Sequence, residues 1–218
     1  MIVLASNSPR RREMLAWMEV PFTTTAADVD ETPRAGENPE DYVMRLAQEK
    51  ARACERQAPF NVVILAADTT VADGSQIIGK PLDAEDALRI LRQLRNRHHM
   101  VHTAVVVDLP SRGIAALELC STRVKMRAYS EEELAVYVQS GDPLDKAGAY
   151  AIQYEGFNPV DRLSGCYASV MGLPLCHIER ALRRLGFGVR KPVPYRCQRE
   201  LSYICPVFRR ILAGEDVG

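Results

Sequence analysis

One stretch limits the architecture more than any other. Asn61-Val62-Val63-Ile64-Leu65-Ala66-Ala67-Asp68-Thr69-Thr70-Val71 is the most apolar run in the chain. A short run apolar at successive positions and bounded by a turn signal reads as a central strand, buried on both faces. A strand so placed needs layers packed against each side of its sheet, and amphipathic helices elsewhere in the chain supply them. The class is therefore α/β. Asp68 interrupts the run. A carboxylate in such surroundings is costly unless it is paired, hydrogen-bonded or metal-bound. The turn signal, Asp73-Gly74, comes later, so Asp68 is not explained as a turn former. It is read as lying where the strand meets a cleft.

The N-terminal residues carry the second signal. Met1-Ile2-Val3-Leu4-Ala5 reads as a buried strand, and Glu13-Met14-Leu15-Ala16-Trp17-Met18 as part of a helix. Between them, Ser8 suits the N-cap and Pro9 the first helical position. Arg10, Arg11 and Arg12 then fall in the first turn, where free N–H groups already carry partial positive charge. Other helices of this chain do the opposite. Asn38-Pro39-Glu40-Asp41, Asp83-Ala84-Glu85-Asp86 and Ser130-Glu131-Glu132-Glu133 all open with carboxylates, the last as a capping box. An anion bound at the first helix would offset the local conflict, and phosphate is the usual one. The hydroxyls of Ser6 and Ser8 point the same way.

Other candidates are weaker on their own. Asp28-Val29-Asp30-Glu31-Thr32-Pro33 is an acidic loop, and on the residues alone a solvated loop is the favoured reading. Beside a polyphosphate, Asp30 and Glu31 could instead hold a divalent metal or act on a water. The expected helix from Pro39 to about Arg56 buries Val43, Leu46, Ala47, Ala51 and Cys54. Lys50 falls on that same stripe, either to snorkel at its edge or to reach into a cleft. Gly79-Lys80-Pro81 follows the second arm of a hairpin, Gln76-Ile77-Ile78, and Lys80 is a plausible phosphate contact.

Further on, a helix from about Ala84 to Leu94 turns Leu88, Leu91 and Leu94 inward, and strands cover about Met100–Leu109 and Ile114–Arg127. His98, His99 and His102 are read as structural or exposed. Asp145, Lys146 and Gln153 are read as the polar groups of Ser140–Gln153, a loop and strand that opens on turn residues and whose small residues around Gly148 would let a ligand approach the backbone. A last helix carries Leu175, Ile178, Leu182 and Leu185 inward and ends at Gly186. Residues 187–218 change character. Val189–Pro194 looks like a linker, and Leu201–Leu212 like a short amphipathic segment.

Composition bounds the function classes. Lys+Arg and Asp+Glu both number 28 in 218 residues, so the chain is formally neutral. That argues against a general nucleic-acid or membrane-surface binder. No apolar stretch is long enough to span a bilayer. A strand expected from the first residues leaves no room for a signal peptide. Cys54, Cys120, Cys166, Cys176, Cys197 and Cys205 show no C-x-x-C pairing and are read as reduced thiols of a cytoplasmic protein.

Ser6-Asn7-Ser8-Pro9-Arg10-Arg11 resembles the opening motif of the Maf family of nucleoside triphosphate pyrophosphatases. The resemblance continues through Asp30-Glu31, Leu46-Ala47-Gln48-Glu49-Lys50-Ala51, Ala67-Asp68-Thr69, Gly79-Lys80-Pro81 and His99-Met100-Val101-His102-Thr103. It ends with Asp145-Lys146-Ala147-Gly148-Ala149-Tyr150-Ala151-Ile152-Gln153 and Val170-Met171-Gly172-Leu173-Pro174-Leu175. Several motifs in the right order are more specific than any one of them. They cover most of residues 1–186, so 187–218 stand as a C-terminal extension to a Maf-like domain.

The resemblance implies an elongated, two-lobed α/β fold of the Maf/ITPase kind, with a mixed β-sheet and a deep central cleft. It implies hydrolysis of a nucleoside triphosphate to the monophosphate and pyrophosphate with a divalent metal (Mg or Mn), in a cytoplasmic homodimer. Asp68 matches the catalytic acceptor, with Glu31 as catalytic partner and second metal ligand. Arg10, Thr69 and Gln153 match positions associated with substrate choice, and Ser6, Ser8, Arg10, Arg11, Lys50, Lys80 and Lys146 other cleft residues that meet phosphate. Ala149-Tyr150-Ala151-Ile152-Gln153 looks like the dTTP/UTP subgroup. The alternatives are a 7-methyl-GTP or other purine pyrophosphatase, and a nucleotide-binding regulator of septum formation. One departure stands out: Leu94-Arg95-Asn96-Arg97 replaces the family's Leu-Ser-Gly turn, which would alter a loop near the cleft.

Overall fold

The computed structural model describes residues 1–189 and 192–218. Its centre is one seven-stranded mixed sheet. In chain order the strands are β1 (Ile2–Ala5), β2 (Phe22–Thr25), β3 (Val63–Asp73), β4 (Gln76–Ile78), β5 (His98–Leu109), β6 (Ile114–Met126) and β7 (Val160–Ser164). They lie in the order β2-β1-β3-β5-β6-β7, with β4 also on β3. β1 runs parallel to β2 and β3, whereas β3–β4, β3–β5, β5–β6 and β6–β7 are antiparallel. The helices are α1 (Pro9–Ala16), α2 (Pro39–Glu55), α3 (Ala84–Leu94), α4 (Glu131–Gln139), α5 (Tyr167–Val170), α6 (Leu175–Arg184), α7 (Val193–Glu200) and α8 (Phe208–Leu212).

β3 is the central strand expected, and its period-2 alternation sorts the layers. Val63, Leu65 and Ala67 join one core with Met14 and Leu15 of α1 and Ile178 and Leu182 of α6. Ile64 and Ala66 point the other way, onto Val43, Ala47 and Cys54 of α2. Further along, Val71 enters a separate core built with Leu91 and Leu94 of α3, Leu134 and Tyr137 of α4, and Val101 of β5. One strand thus runs through the cores of two lobes. Asp68, Thr69 and Thr70 are the residues between them.

The helix ends follow the expected chemistry. Ser8, Asn38 and Asp83 each accept a backbone N–H as N-caps, and Ser130 and Glu133 form the capping box. In α3 the buried residues are Ala87, Ile90, Leu91 and Leu94, with Leu88 at the edge of the core. The Leu94–Arg97 departure has a local explanation. Asn96 adopts a left-handed conformation (φ 56°) that suits glycine, and asparagine is among the residues that tolerate it. Arg95 reaches Glu131, Arg97 reaches Asp73, and Lys125 bonds Asn96. The cleft lining does not include this turn, contrary to the expectation of an altered loop near the cleft.

Three expectations need correction. Asp142–Ala149 forms two 3₁₀ turns with no strand. The apolar alternation there is short, and Gly148 and Ala149 at positive φ (73° and 57°) turn the chain away from a sheet. β7 was not foreseen, because Val160-Asp161-Arg162-Leu163-Ser164 is an edge strand with polar residues at Asp161, Arg162 and Ser164. The extension is two helices separated by an irregular stretch. α7 begins at Val193, inside the stretch expected to be a linker; Arg190 and Lys191 lie outside the described residues.

The extension packs on its own chain. Val193 and Cys197 belong to the α1–α6 core, and Ile211 of α8 is fully buried. Arg180 of α6, buried and paired with buried Glu118, donates to the carbonyl oxygens of Ile211 and Glu215. A buried guanidinium needs such acceptors, so the tail helps to satisfy it. Ile211→Ala is therefore expected to destabilise the protein by about 2–5 kcal/mol in urea denaturation. A change below about 0.5 kcal/mol, the size of a surface substitution, would show that the extension merely rests on the domain.

Candidate functional site

The two lobes leave a cleft of about 720 Å³ between them. That is within the usual size for a small-molecule site. Of the site candidates singled out from the sequence, Ser6, Ser8, Arg10, Arg11, Glu31, Lys50, Asp68, Thr69, Lys80, Lys146 and Gln153 line it; Asp30 does not, and its exposed carboxylate accepts the Thr32 N–H at 2.9 Å instead. The lining candidates come from the β1–α1 turn, α1, the acidic loop, α2, β3, and the turns after β4 and α4.

The alternation of β3 decides who meets whom. Asp68 shares the face of Ile64 and Ala66, so it points toward α2, where Lys50 lies on the buried stripe. Lys50 Nζ donates to Asp68 Oδ1 at 2.6 Å and to Glu31 Oε1 at 2.7 Å. Lysine thus reaches into the cleft rather than snorkelling to a surface. The acidic loop is held there by Tyr42 of α2, whose hydroxyl donates to the Glu31 carbonyl at 2.8 Å. Tyr42 was missed in the sequence, although it stands two four-residue steps before Lys50 on the same helix face.

The charges respond to this geometry. Burial raises the Asp68 carboxyl above its ordinary value, against the lowering effect of Lys50 and Arg11. Burial also opposes ionisation of Glu31, but the Lys50 hydrogen bond and charge, with Lys80 and Arg11, bring it below the usual range. Burial, with Asp68 and Glu31 nearby, pushes the Tyr42 phenol up to about 12. The two carboxylates sit in different environments and are driven in opposite directions.

Thr69, one residue on, faces α1. Its Oγ1 accepts from Arg11 Nη2 at 3.1 Å and lies 3.0 Å from Thr103 Oγ1. Thr103 donates its own proton to the Ser169 carbonyl at 2.8 Å, so Thr69 is the donor between the two threonines. Thr69 therefore keeps only acceptor capacity toward the cleft. Arg11 also donates to the Ala67 carbonyl at 2.8 Å and to the Gly172 carbonyl at 2.9 Å. Gly172 takes φ 103° there, and a Cβ would come within 3.5 Å of the guanidinium. Arg11 thus ties α1 to β3 and to the α5–α6 turn. The sequence presents it as an anion ligand; the structure commits much of its guanidinium to the protein.

Lys146 is likewise engaged. It donates to the Asp142 carbonyl and to Asp145 Oδ1 at 2.6 Å, and lies 3.0 Å from Asp142 Oδ1. Gly148 does not open the backbone to a ligand as expected. A Cβ there would come within 2.8 Å of Val71, and its N–H donates to the Gly79 carbonyl at 3.0 Å. The glycine lets the turn close on β3.

Among the described residues, Arg10 and Lys80 are the cleft cations with neither an ion pair nor a side-chain hydrogen bond. At the α1 N-terminus, Ser8 takes the N–H of Arg11 on its side chain and that of Arg12 on its carbonyl. Pro9 has no N–H, so the Arg10 amide is left for a ligand. The hydroxyls of Ser6 and Ser8 accept from the protein, and each retains a proton to donate. Arg10, Lys80, two hydroxyls and a helix start make an anion site. Gln153 is exposed on the cleft with no hydrogen bond among the described residues.

Among the described residues, no group of three or more His, Cys, Asp or Glu could hold a metal. Magnesium, however, is commonly held by one or two carboxylates together with substrate phosphates. Asp68 and Glu31 converge on one Lys50 nitrogen, and one oxygen of each takes no hydrogen bond among the described residues. That donor set fits a hard divalent cation shared with a phosphate ligand. No helix among the described residues is long and apolar enough to cross a membrane, and all six cysteines are free thiols.

Residues 1–185 match the family model described as Maf-like protein. A protein from Myxococcus xanthus, named dTTP/UTP pyrophosphatase, is 48% identical over 196 residues, covering 90% of this chain and 96% of that one. One of the same name from Methylobacillus flagellatus is 44% identical over 189 residues, covering 86% and 94%. Among solved structures, a HAM1 protein from Coxiella burnetii is 15% identical with a TM-score of 0.42, over 70% of this chain and 87% of that one.

The two arginines at the start of α1 are expected to behave differently. Arg11→Ala removes charged hydrogen bonds to two carbonyls and a hydroxyl, and should destabilise the free protein by about 1.5–3 kcal/mol. Arg10→Ala removes none, and should change stability by less than about 0.5 kcal/mol. Thermal melts of both variants without ligand check this. Equal melting temperatures would show that the Arg11 contacts carry no structural load.

Proposed function

The chain belongs to the Maf-like family, and on that footing we propose that it is a nucleoside triphosphate pyrophosphatase hydrolysing dTTP and UTP to the monophosphate and pyrophosphate. The observation that carries the reading is Asp68, a buried carboxylate of raised pKa on the wall of a cleft whose unpaired cations suit a polyphosphate. A site that only bound a polyanion would be hindered by that carboxylate. A hydrolase needs it.

In this reading, Arg10, Lys80, the Ser6 and Ser8 hydroxyls and the α1 N-terminus take the phosphate charge, with Lys146 at the edge. They offset negative charge as it builds on the leaving pyrophosphate. A water attacks the α-phosphorus, and the Asp68 carboxylate takes its proton. Lys50 fixes the carboxylate and keeps Glu31 beside it. Magnesium or manganese, held by Asp68 and Glu31 with the phosphates, would supply Lewis-acid polarisation of the phosphoryl group.

Base choice is assigned to Gln153, with Arg10 and Thr69. Thymine and uracil present an N3–H donor flanked by carbonyl acceptors. A glutamine amide can accept from the first and donate to the second. A role in clearing unwanted pyrimidine triphosphates, a cytoplasmic setting and a homodimer belong to the same proposal and rest on the family alone.

The test is a panel of triphosphates, each with and without Mg²⁺ or Mn²⁺, analysed for monophosphate, pyrophosphate and inorganic phosphate. dTTP and UTP are expected to give the highest kcat/KM, with pyrophosphate released. Asp68→Asn should lower turnover by about 10²–10⁴-fold while the protein stays folded and binds nucleotide. Because the base acts ionised, kcat/KM should fall as pH drops through the raised Asp68 pKa, above the ordinary carboxylate range. Release of inorganic phosphate and a diphosphate, or near-normal turnover by folded Asp68→Asn, would refute the assignment.

A further inference from the structure

Tyr137 of α4 lies outside the cleft lining, yet its hydroxyl joins two segments that do line it. The Ala151 N–H donates to Tyr137 Oη at 2.9 Å, and the Tyr137 hydroxyl donates to Asp142 Oδ2 at 2.7 Å. Asp142 in turn holds Lys146, through its carbonyl and through Oδ1 at 3.0 Å. One hydroxyl therefore connects the chain entering Gln153 with the turn that carries Lys146. We propose that Tyr137 is a positioning residue: its hydroxyl holds the base-reading segment Ala151–Gln153 in register with the phosphate-side turn Asp142–Lys146. This inference rests on the pyrophosphatase reading of the cleft.

The segment needs such a support. Ala147–Gln153 belongs to no strand, so its backbone N–H groups cannot use a sheet ladder. Gly148 bonds the Gly79 carbonyl and Ala149 the Lys146 carbonyl, and the Tyr137 hydroxyl serves Ala151. The side chain that carries this hydroxyl is itself fixed. Its ring is buried, stacked on Phe157 at 4.3 Å between centroids and packed on Tyr154 at 5.0 Å. Ser140 Oγ donates to the Tyr137 carbonyl at 2.6 Å and accepts from the Asp142 N–H at 3.2 Å, which sets the turn against the helix end. Asp68, Lys50 and Glu31 stand on β3, α2 and the acidic loop and make no hydrogen bond to this network. Loss of the hydroxyl should therefore loosen substrate recognition and leave the chemical step nearly intact.

The comparison is between wild type, Tyr137→Phe and Tyr129→Phe. Tyr129 sits in the same core, packs on the same Phe157 and donates to the Leu91 carbonyl at 2.6 Å, away from the cleft. Its variant loses a buried hydrogen bond of the same kind and serves as the structural control. kcat and KM are measured for dTTP and for dCTP, whose base presents a donor where thymine presents an acceptor. For Tyr137→Phe, KM for dTTP should rise about tenfold and the dTTP-over-dCTP ratio of kcat/KM fall about tenfold, with kcat within about threefold. Tyr129→Phe should lower the melting temperature and leave both quantities unchanged. The proposal is overturned if Tyr137→Phe stays within about twofold of wild type in both, or if Tyr129→Phe shifts them equally. A wild type that does not hydrolyse dTTP refutes the activity instead, and the same comparison on Kd for dTTP by calorimetry then decides the role of Tyr137.

Discussion

The Lys50 ammonium between Asp68 and Glu31 is the contact on which the rest of the site depends. A buried carboxylate in the middle of an apolar strand would be strongly unfavourable without it. Lys50 makes Asp68 tolerable, and it does so from a helix position that otherwise belongs to the core. Breaking one partner of such a group leaves the other uncompensated, which is worse than never having the pair. The acidic loop, with no regular structure of its own, is drawn into the cleft by the same nitrogen and by Tyr42. One interaction therefore sets where Asp68, its neighbour carboxylate and the loop stand.

β3 makes that placement possible. Its first half is packed on both faces, by α1 and α6 on one side and α2 on the other. Its far end enters the second core at Val71. Between the cores neither face is filled by apolar side chains, and Asp68 and Thr69 emerge there on opposite faces. Asp68 meets α2 and Lys50; Thr69 meets α1 and Arg11. Because rigid layers hold the strand on both sides of the gap, the carboxylate is fixed where water and phosphate can reach it. Positioning of this kind is most of what a protein contributes to phosphoryl transfer.

Much of this was legible in the sequence, for reasons that differ by residue. Asp68 announced itself by interrupting an apolar run, and Lys50 by falling on a buried stripe. Both are violations of a pattern, and such violations concentrate at functional sites. The arginines of α1 were visible as a charge conflict, but the conflict alone did not separate Arg10, free on the cleft, from Arg11, bonded to two carbonyls. That distinction lies in tertiary partners far along the chain. Gly148 was misread because close backbone approach looks the same in sequence whether the neighbour is a ligand or Val71. The extension was underread because α7 starts on prolines. Tyr137 was recognisable only as a core residue, since its partners come from a turn that no periodicity describes.

The account turns on the ionisation of one side chain, and a carbon-detected NMR titration of the Asp68 carboxyl in the free protein tests it most directly. Burial, only partly offset by Lys50, should make Asp68 titrate above the ordinary aspartate value of about 3.9. In Lys50→Met, with the ammonium gone, the midpoint should climb further. An Asp68 that titrates at or below the ordinary value, or that ignores the loss of Lys50, would contradict the claim that a lysine-held buried carboxylate is the base at the centre of this cleft.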